Sequence, residues 1–142
     1  MTETPPEAED FNSRIIREFR ANGGEVGGPF AGAPLLLLTS TGAKSGAQRT
    51  NPMMYLADGG RLVVFASKGG APTNPDWYHN LVAHPAATVE VGEERFAVTA
   101  TVLSGAERDD LYGQQSALYP GFGEYQAKTS RTIPVIALER TA

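Results

Sequence analysis

The sequence predicts an α+β protein in which an antiparallel barrel of about six strands carries three helices. Apolar segments with strand-like periodicity are joined by short glycine-containing turns rather than by regular helical crossovers. Helical patterns with clear start or stop signals occur at three places along the chain. The length of 142 residues fits one domain that buries its own core.

Composition restricts both the location and the function classes. The first ten residues are acidic and lack the basic and apolar regions of a signal peptide. We therefore expect a cytoplasmic protein with a disordered N-terminus, residues 1–10, and a single domain over residues 11–142. Cysteine is absent, and the two histidines, His79 and His84, fall on different faces of one predicted helix, so we expect no metal site. The net charge of −4 argues against nucleic-acid binding.

The first predicted helix covers residues 11–21, where Phe11, Ile15 and Phe19 recur at helical spacing and arginines occupy other faces. This apolar stripe favours packing on the barrel or at a dimer seam. A basic, apolar-striped helix is also typical of a membrane surface, although the acidic leader would oppose anionic lipid.

Six segments have the pattern of strands, and two pairs of them are expected to form hairpins. Asp58, Gly59 and Gly60 form a tight turn between the second and third segments, which should therefore pair antiparallel. Gly92 lies between the fourth and fifth segments. The strand-like segments are residues 34–40, 51–57, 61–67, 88–91, 95–103 and 133–138.

Two further helices interrupt these strands. Pro75 follows two capping candidates, Thr73 and Asn74, which predicts a helix over residues 75–84. Ser104 begins a capping box, which predicts a third helix that ends before the following Tyr-Pro-Gly sequence.

Two glycine-bearing loops are candidates for binding an anion. Residues 39–50 follow the first strand and combine hydroxyl side chains and glycines with Lys44 and Arg49, as phosphate and carboxylate sites require. The loop is not a Walker loop, because Ala43 stands where glycine is needed before the lysine. Residues 66–71 join a strand to a helix start, another common anion site. Either segment is also compatible with an ordinary polar turn.

Two aromatic segments accompany these loops. Trp77 and Tyr78 lie on the second predicted helix, where an aromatic pair can belong to the core or line a ligand. Residues 119–125 form a glycine-punctuated aromatic segment, which suits either a lid over a flat ligand or a loop packed on the barrel end. Residue chemistry alone thus indicates a phosphorylated, planar ligand and selects no reaction.

Five sequence blocks closely resemble the deazaflavin-dependent nitroreductase family, whose members bind coenzyme F-420 and include quinone reductases. The blocks are LLLLTSTGAKSG at residues 35–46, RTNP at 49–52, ASKGG at 66–70, NPDWYHNL at 74–81 and RTIPV at 131–135. The resemblance implies a split β-barrel of about six mostly antiparallel strands with three flanking helices.

The resemblance also implies site residues. For coenzyme binding these are Ala43, Lys44, Ser45, Arg49, Thr50, Asn51, Pro52, Met53, Met54, Phe65, Ala66, Ser67, Lys68, Asp76, Trp77, Tyr78, His79, Asn80 and Phe122. On the substrate side they are Ser67, Lys68, Tyr119 and Tyr125. Some relatives carry a tyrosine where Phe122 stands, so activity on nitroimidazole-type substrates is less expected than quinone reduction.

The resulting hypothesis is an oxidoreductase that uses reduced coenzyme F-420 to transfer a hydride to a quinone, activated alkene or nitroaromatic acceptor. Two alternatives stay open: a non-catalytic F-420 binding or carrier protein, and an FMN-binding split-barrel oxidoreductase. A lipid-soluble quinone keeps peripheral membrane contact through residues 11–21 in consideration. The sequence leaves the oligomeric state open.

Overall fold

The structure is a computed structural model that describes residues 11–27 and 34–141. The segment expected to be disordered, residues 1–10, lies outside the described residues. Four α-helices, seven strands and one 3-10 turn, Lys68–Gly70, are formed by the described residues. The helices are α1 Phe11–Ala21, α2 Asp76–Ala83, α3 Gly105–Leu118 and α4 Gly121–Lys128. The strands are β1 Leu35–Thr41, β2 Gln48–Met54, β3 Leu56–Asp58, β4 Arg61–Phe65, β5 Ala86–Val91, β6 Glu94–Leu103 and β7 Val135–Arg140.

All seven strands belong to one sheet with the order β2-β1-β5-β6-β7-β4-β3, and every neighbouring pair is antiparallel. This confirms the predicted α+β class with an antiparallel barrel. The sheet curls around an interior cluster that includes Leu36, Val64, Val89, Val98 and Ile136, each no more than 1% exposed. One face of each strand therefore points into the barrel.

The expectation of about six strands is corrected to seven among the described residues, because the segment predicted as 51–57 divides at Tyr55. Before this point Met54 pairs with Leu35 of β1, and after it Leu56 pairs with Val63 of β4. The two halves thus bond to opposite edges of the sheet. Only β3 forms the hairpin with β4 that the Asp-Gly-Gly turn predicted.

The expectation of three helices is corrected to four in the described part of the chain, because the second half of the aromatic segment 119–125 is helical. Phe122 and Tyr125 lie three residues apart on one face of α4 and pack with Phe65 of β4 and with Leu111 and Tyr112 of α3. This packing outweighs the low helix propensity of the glycines.

None of the predicted capping side chains, Thr73, Asn74 and Ser104, caps its helix. Helix α2 begins after Pro75 with no side-chain capping bond, and the Oδ1 atom of Asn74 instead accepts a hydrogen bond from Nη1 of Arg131 at 2.7 Å. Ser104 precedes α3 in an extended conformation, also without a side-chain capping bond.

The described part of the apolar stripe of α1, Ile15 and Phe19, packs on the barrel. Ile15 and Phe19 are 5% and 1% exposed and contact Leu35 and Leu37 on the outer face of β1. Within the described residues, no helix combines the length and the apolar character needed to cross a membrane. These two side chains therefore belong to a hydrophobic cluster of the protein itself.

Candidate functional site

Both glycine-bearing loops leave the barrel at the same end. Strands β5, β6 and β7 lie between β1 and β4, and each neighbouring pair is antiparallel, so β1 and β4 run in the same direction. Their carboxyl ends, Thr41 and Phe65, therefore lie at one end of the sheet. The first loop, residues 42–47, and the second loop, residues 66–75, begin there, and α2 follows the second loop.

The first loop is a tight turn that requires glycine. The backbone N–H of Gly42 donates to the carbonyl of Ala47 at 2.7 Å, and that of Gly46 donates to the carbonyl of Gly42 at 3.0 Å. A Cβ at Gly42 would lie 2.6 Å from Oγ of Ser45, and Gly46 has a φ of +72°. The N–H groups of Lys44 and Ser45 have no acceptor within the described residues. Two backbone donors thus remain available to a ligand.

Asn80 fixes this loop to α2. Asn80 is only 7% exposed. Its Oδ1 atom accepts a hydrogen bond from the backbone N–H of Ala43 at 2.9 Å. Its Nδ2 donates to Oγ of Ser40 at 3.4 Å. The predicted site residue Asn80 therefore holds the first loop against α2 through hydrogen bonds.

A cleft of about 680 Å³ lies between the first loop, the start of β2 and α2. Lys44 and Arg49 are exposed there, and neither forms an ion pair or side-chain hydrogen bond with the part of the chain that the structure describes. Asp76 supplies the one acidic side chain of the lining. The lining residues are Gly42, Ala43, Lys44, Ser45, Arg49, Asn51, Asp76, His79 and Asn80. Two unpaired cations and free backbone donors make this cleft suited to an anionic cofactor.

The other predicted site residues do not belong to the lining of this cleft. Trp77, Tyr78 and Met53 are half-buried against the barrel interior, and Met54 packs beside α1. The residues outside the lining are Thr50, Pro52, Met53, Met54, Phe65, Ala66, Ser67, Lys68, Trp77, Tyr78, Tyr119, Phe122 and Tyr125. The structure thus groups the first-loop residues with those of α2.

Phe122 and Tyr125 belong to an aromatic cluster between α3, α4 and β4. The Phe122 ring lies 5.7 Å from that of Phe65 and 5.4 Å from that of Tyr125, with edge-on geometry. The Tyr112 hydroxyl donates to the carbonyl of Phe122 at 2.5 Å. Burial raises the pKa of Tyr112, so this hydroxyl keeps its proton at neutral pH. The cluster fixes α4 against α3.

The second loop has an unusual backbone. Lys68 has a φ of 48°, in the left-handed region that side chains disfavour, and Gly70 has a φ of +82°. A Cβ at Gly70 would lie 2.9 Å from the carbonyl oxygen of Tyr125, so the loop touches α4 closely. Nζ of Lys68 donates to Oγ1 of Thr73 at 3.2 Å within the loop.

Arg131 is a residue of this region to which sequence reasoning gave no role. Its guanidinium donates to the carbonyls of Ala66, Ser67 and Ala71 and to Oδ1 of Asn74. Burial lowers the pKa of Arg131, although a guanidinium stays charged at any physiological pH. Its place in the RTIPV block was the only available signal, because these contacts join residues far apart in sequence.

Comparison with known proteins identifies the family. The family model described as F-420H(2)-dependent quinone reductase matches residues 13–140. The chain belongs to this family. An F-420H(2)-dependent quinone reductase of Mycobacterium tuberculosis is 40% identical over 128 residues, which cover 86% of this chain and 85% of the relative.

Two solved structures agree with this assignment. One, described as F-420-H2 Dependent Reductase (FDR-A), is 42% identical and has a TM-score of 0.69, covering 75% of this chain and 94% of its own. Another, described as a domain-swapped dimer, is 38% identical with a TM-score of 0.71, covering 89% of this chain and 93% of its own. The predicted family and the α+β split-barrel fold are confirmed.

Proposed function

We propose that the chain is a coenzyme F-420-dependent reductase that transfers a hydride to a quinone-like acceptor. Membership of the F-420H(2)-dependent quinone reductase family supports the coenzyme and the reaction type. The observation on this chain that carries the proposal is the cleft in which Lys44 and Arg49 have no partner among the residues that the structure describes.

The cleft residues fit the coenzyme, whose phosphate and glutamyl tail are anionic. Lys44 and Arg49 supply unpaired positive charge, and the N–H groups of Lys44 and Ser45 supply free donors. Gly42, whose added Cβ would lie 2.6 Å from Oγ of Ser45 and 3.1 Å from the Ala47 carbonyl oxygen, keeps this loop in a tight turn. A volume of about 680 Å³ is that of an ordinary cofactor cleft.

The coenzyme, when bound in its reduced form, supplies the hydride, a capacity that none of the side chains possesses. The chain's own contribution is to hold the two reactants together in a fixed orientation. Ser67 and Lys68, with the backbone N–H groups of the second loop, are our candidates for stabilising negative charge that develops on the acceptor oxygen. Tyr119 and Tyr125 are candidates for contacting the acceptor, because Tyr125 adjoins this loop at Gly70.

A quinone is favoured over a nitroimidazole as the acceptor. Phe122 offers no hydroxyl, and its ring already packs against Phe65, Tyr112 and Tyr125. A quinone can take its protons from solvent and needs no donor at this position. Membrane contact through α1 is not part of the proposal, because Ile15 and Phe19 are buried against β1.

A two-step assay tests the proposal with the full chain. Oxidised coenzyme F-420 is first titrated with protein while its own fluorescence is followed, and saturable binding is expected. Reduced coenzyme is then mixed with menadione, and protein-dependent oxidation of the coenzyme is expected.

The assay also separates the alternatives. Binding without acceptor-dependent oxidation would indicate a carrier protein. A preparation that is yellow as purified and turns over with a nicotinamide donor would indicate a flavin enzyme. Absence of deazaflavin binding would contradict the proposal as a whole.

A further inference from the structure

We infer that Arg131 is a positioning residue of this reductase, which orients the free peptide N–H groups of Ser67 and Lys68 as a donor pair for the reaction. The inference rests on the proposed function for its catalytic consequence. Its structural part concerns only the second loop and can be tested on the protein without coenzyme.

One guanidinium joins both ends of the second loop. Nη1 of Arg131 donates to the carbonyl of Ala66 at 3.2 Å, and Nη2 donates to that of Ser67 at 2.8 Å. Nε donates to the carbonyl of Ala71 at 2.9 Å, beyond the 3-10 turn, and Nη1 also reaches Oδ1 of Asn74 at 2.7 Å. A planar fork with five N–H groups can serve these four acceptors at once, whereas a lysine ammonium has only three donors.

These contacts fix the direction of two peptide groups. All the peptide bonds described are trans, so each carbonyl points opposite to the N–H of the next residue. Because the carbonyls of Ala66 and Ser67 point at Arg131, the N–H groups of Ser67 and Lys68 point away from it. Neither N–H has an acceptor within the described residues. Arg131 thus holds two adjacent, unused donors in a fixed direction, which is the arrangement that stabilises developing negative charge.

The loop needs such support because its own conformation is costly. Lys68 adopts a φ of 48°, which persists in proteins only where surrounding contacts enforce it. Within the turn, the N–H of Gly70 donates to the carbonyl of Ser67 at 2.9 Å and that of Ala71 to the carbonyl of Lys68 at 3.1 Å. Ser67 makes no side-chain capping bond. The Arg131 guanidinium supplies the stabilisation that the local sequence lacks.

Arg131 is itself held by the helices behind it. Nε2 of Gln126 on α4 donates to the carbonyl of Arg131 at 2.7 Å. Oε1 of Gln126 accepts from the N–H of Ile133 at 3.0 Å and from Nη2 of Arg108 on α3 at 2.6 Å. Arg108 also donates to the carbonyl of Ile133 but has no contact with the second loop. Because Arg108 supports Arg131 through Gln126, the matched control is taken outside this network.

The test compares Arg131→Lys with Arg61→Lys in the full chain. Arg61, at the start of β4, is also half-buried and pairs with Asp58 and Glu107, with no contact to the second loop among the described residues. Hydrogen exchange of the coenzyme-free protein reports on residues 66–74, fluorescence titration reports on F-420 binding, and steady-state kinetics with menadione separate kcat from KM. For Arg131→Lys we expect about tenfold faster exchange in the loop and a kcat lower by about tenfold or more, with KM for menadione changed less than about threefold. For Arg61→Lys we expect loop exchange and kcat close to those of the wild type, whatever its effect on thermal stability.

Equal effects of the two substitutions would overturn the inference, because they would show a general loss of stability. Loop exchange and kcat in Arg131→Lys within about twofold of the wild type would also overturn it. If Arg131→Lys does not fold, Asn74→Ala, which removes one acceptor of the fork, must show the same kcat effect in weaker form. If the wild type binds no F-420, the proposed function fails, whereas the exchange data still decide whether Arg131 orders the loop.

Discussion

Lys44 and Arg49 are exposed cations of the cleft without a partner in the described chain. If they bind the anionic groups of coenzyme F-420, alanine at either position should weaken binding by about 1.5–3 kcal/mol, as for hydrogen bonds to charged groups. Fluorescence titration measures this loss, which should shrink at higher salt. Arg95→Ala, at an exposed arginine at the start of β6, makes the same charge change at the opposite end of the barrel. Affinity unchanged in both cleft variants, or equally reduced in the control, would contradict the assignment.

Gln115 on α3 is 0% exposed, and neither its Nε2 nor its Oε1 has a hydrogen-bond partner among the described residues. An unsatisfied buried polar group costs about 1–3 kcal/mol, and methionine has similar size and shape. We therefore expect Gln115→Met to raise the free energy of unfolding by about 1–2 kcal/mol in urea denaturation. Gln114→Met at an exposed neighbour should change it by less than about 0.5 kcal/mol. A destabilised Gln115→Met variant would show that the amide has a partner, such as a buried water.

Single residues differ in how far the sequence could reveal their role. The first-loop and α2 blocks predicted Lys44, Arg49 and Asn80, and the structure brings all three to one cleft. Local composition suffices for Lys44 and Arg49, because glycines and cations adjoin in sequence, whereas Asn80 was implied only by the family resemblance. The role of Arg131 could not be predicted, because it depends on contacts with residues more than fifty positions away. Gln115 likewise becomes unusual only when the packing around α3 is known.

At the scale of elements, periodicity predicted the strands with clear alternation and the hairpin of β5 and β6. It missed the division at Tyr55, because apolar side chains continue through residues 52–57 while the backbone changes its pairing partner from β1 to β4. It missed α4 because glycine content obscures a helix that forms by packing Phe122 and Tyr125 on α3. Propensity is a local property, whereas both errors concern tertiary contacts.

Gly70 shows how closely α4 and the second loop are packed. At Gly59, φ is +61° and nothing lies within 4 Å of an added Cβ. Gly59→Ala should therefore lower the free energy of unfolding by about 1–2 kcal/mol, which is the cost of the left-handed backbone conformation alone. At Gly70 the φ is +82°, and the Cβ would also lie 2.9 Å from the Tyr125 carbonyl oxygen. We expect Gly70→Ala to cost at least about 1 kcal/mol more than Gly59→Ala in urea denaturation. Equal losses would mean that α4 can move away from the loop without cost.

At the scale of the whole molecule, the sheet order decides which loops can act together. The first and second loops follow strands that are far apart in the sheet, yet the alternation of antiparallel neighbours places both at one end of the barrel. The sequence predicted each loop separately as an anion site. Their common end follows from four successive antiparallel pairs, β1 with β5, β5 with β6, β6 with β7 and β7 with β4, of which the sequence pattern predicted only the hairpin of β5 and β6. The family resemblance supplied that long-range information.

The position of α1 determines whether its apolar stripe belongs to the fold or to a membrane surface. Phe19 is 1% exposed and packs with Ile15 on Leu35 and Leu37, so Phe19→Ala should lower the free energy of unfolding by about 3–5 kcal/mol in urea denaturation. Arg14→Ala on the exposed face of the same helix should change it by less than about 0.5 kcal/mol.

Co-sedimentation with anionic vesicles provides the complementary measurement for α1. A buried stripe cannot enter lipid without first leaving β1, and that step exposes the apolar outer face of the strand to water. We therefore expect wild type and Phe19→Ala to show the same low retention on vesicles. The opposite result would be that wild type is retained on vesicles and that Phe19→Ala abolishes this retention without loss of stability. That result would show that the stripe contacts the membrane and does not pack on β1 in the functional protein.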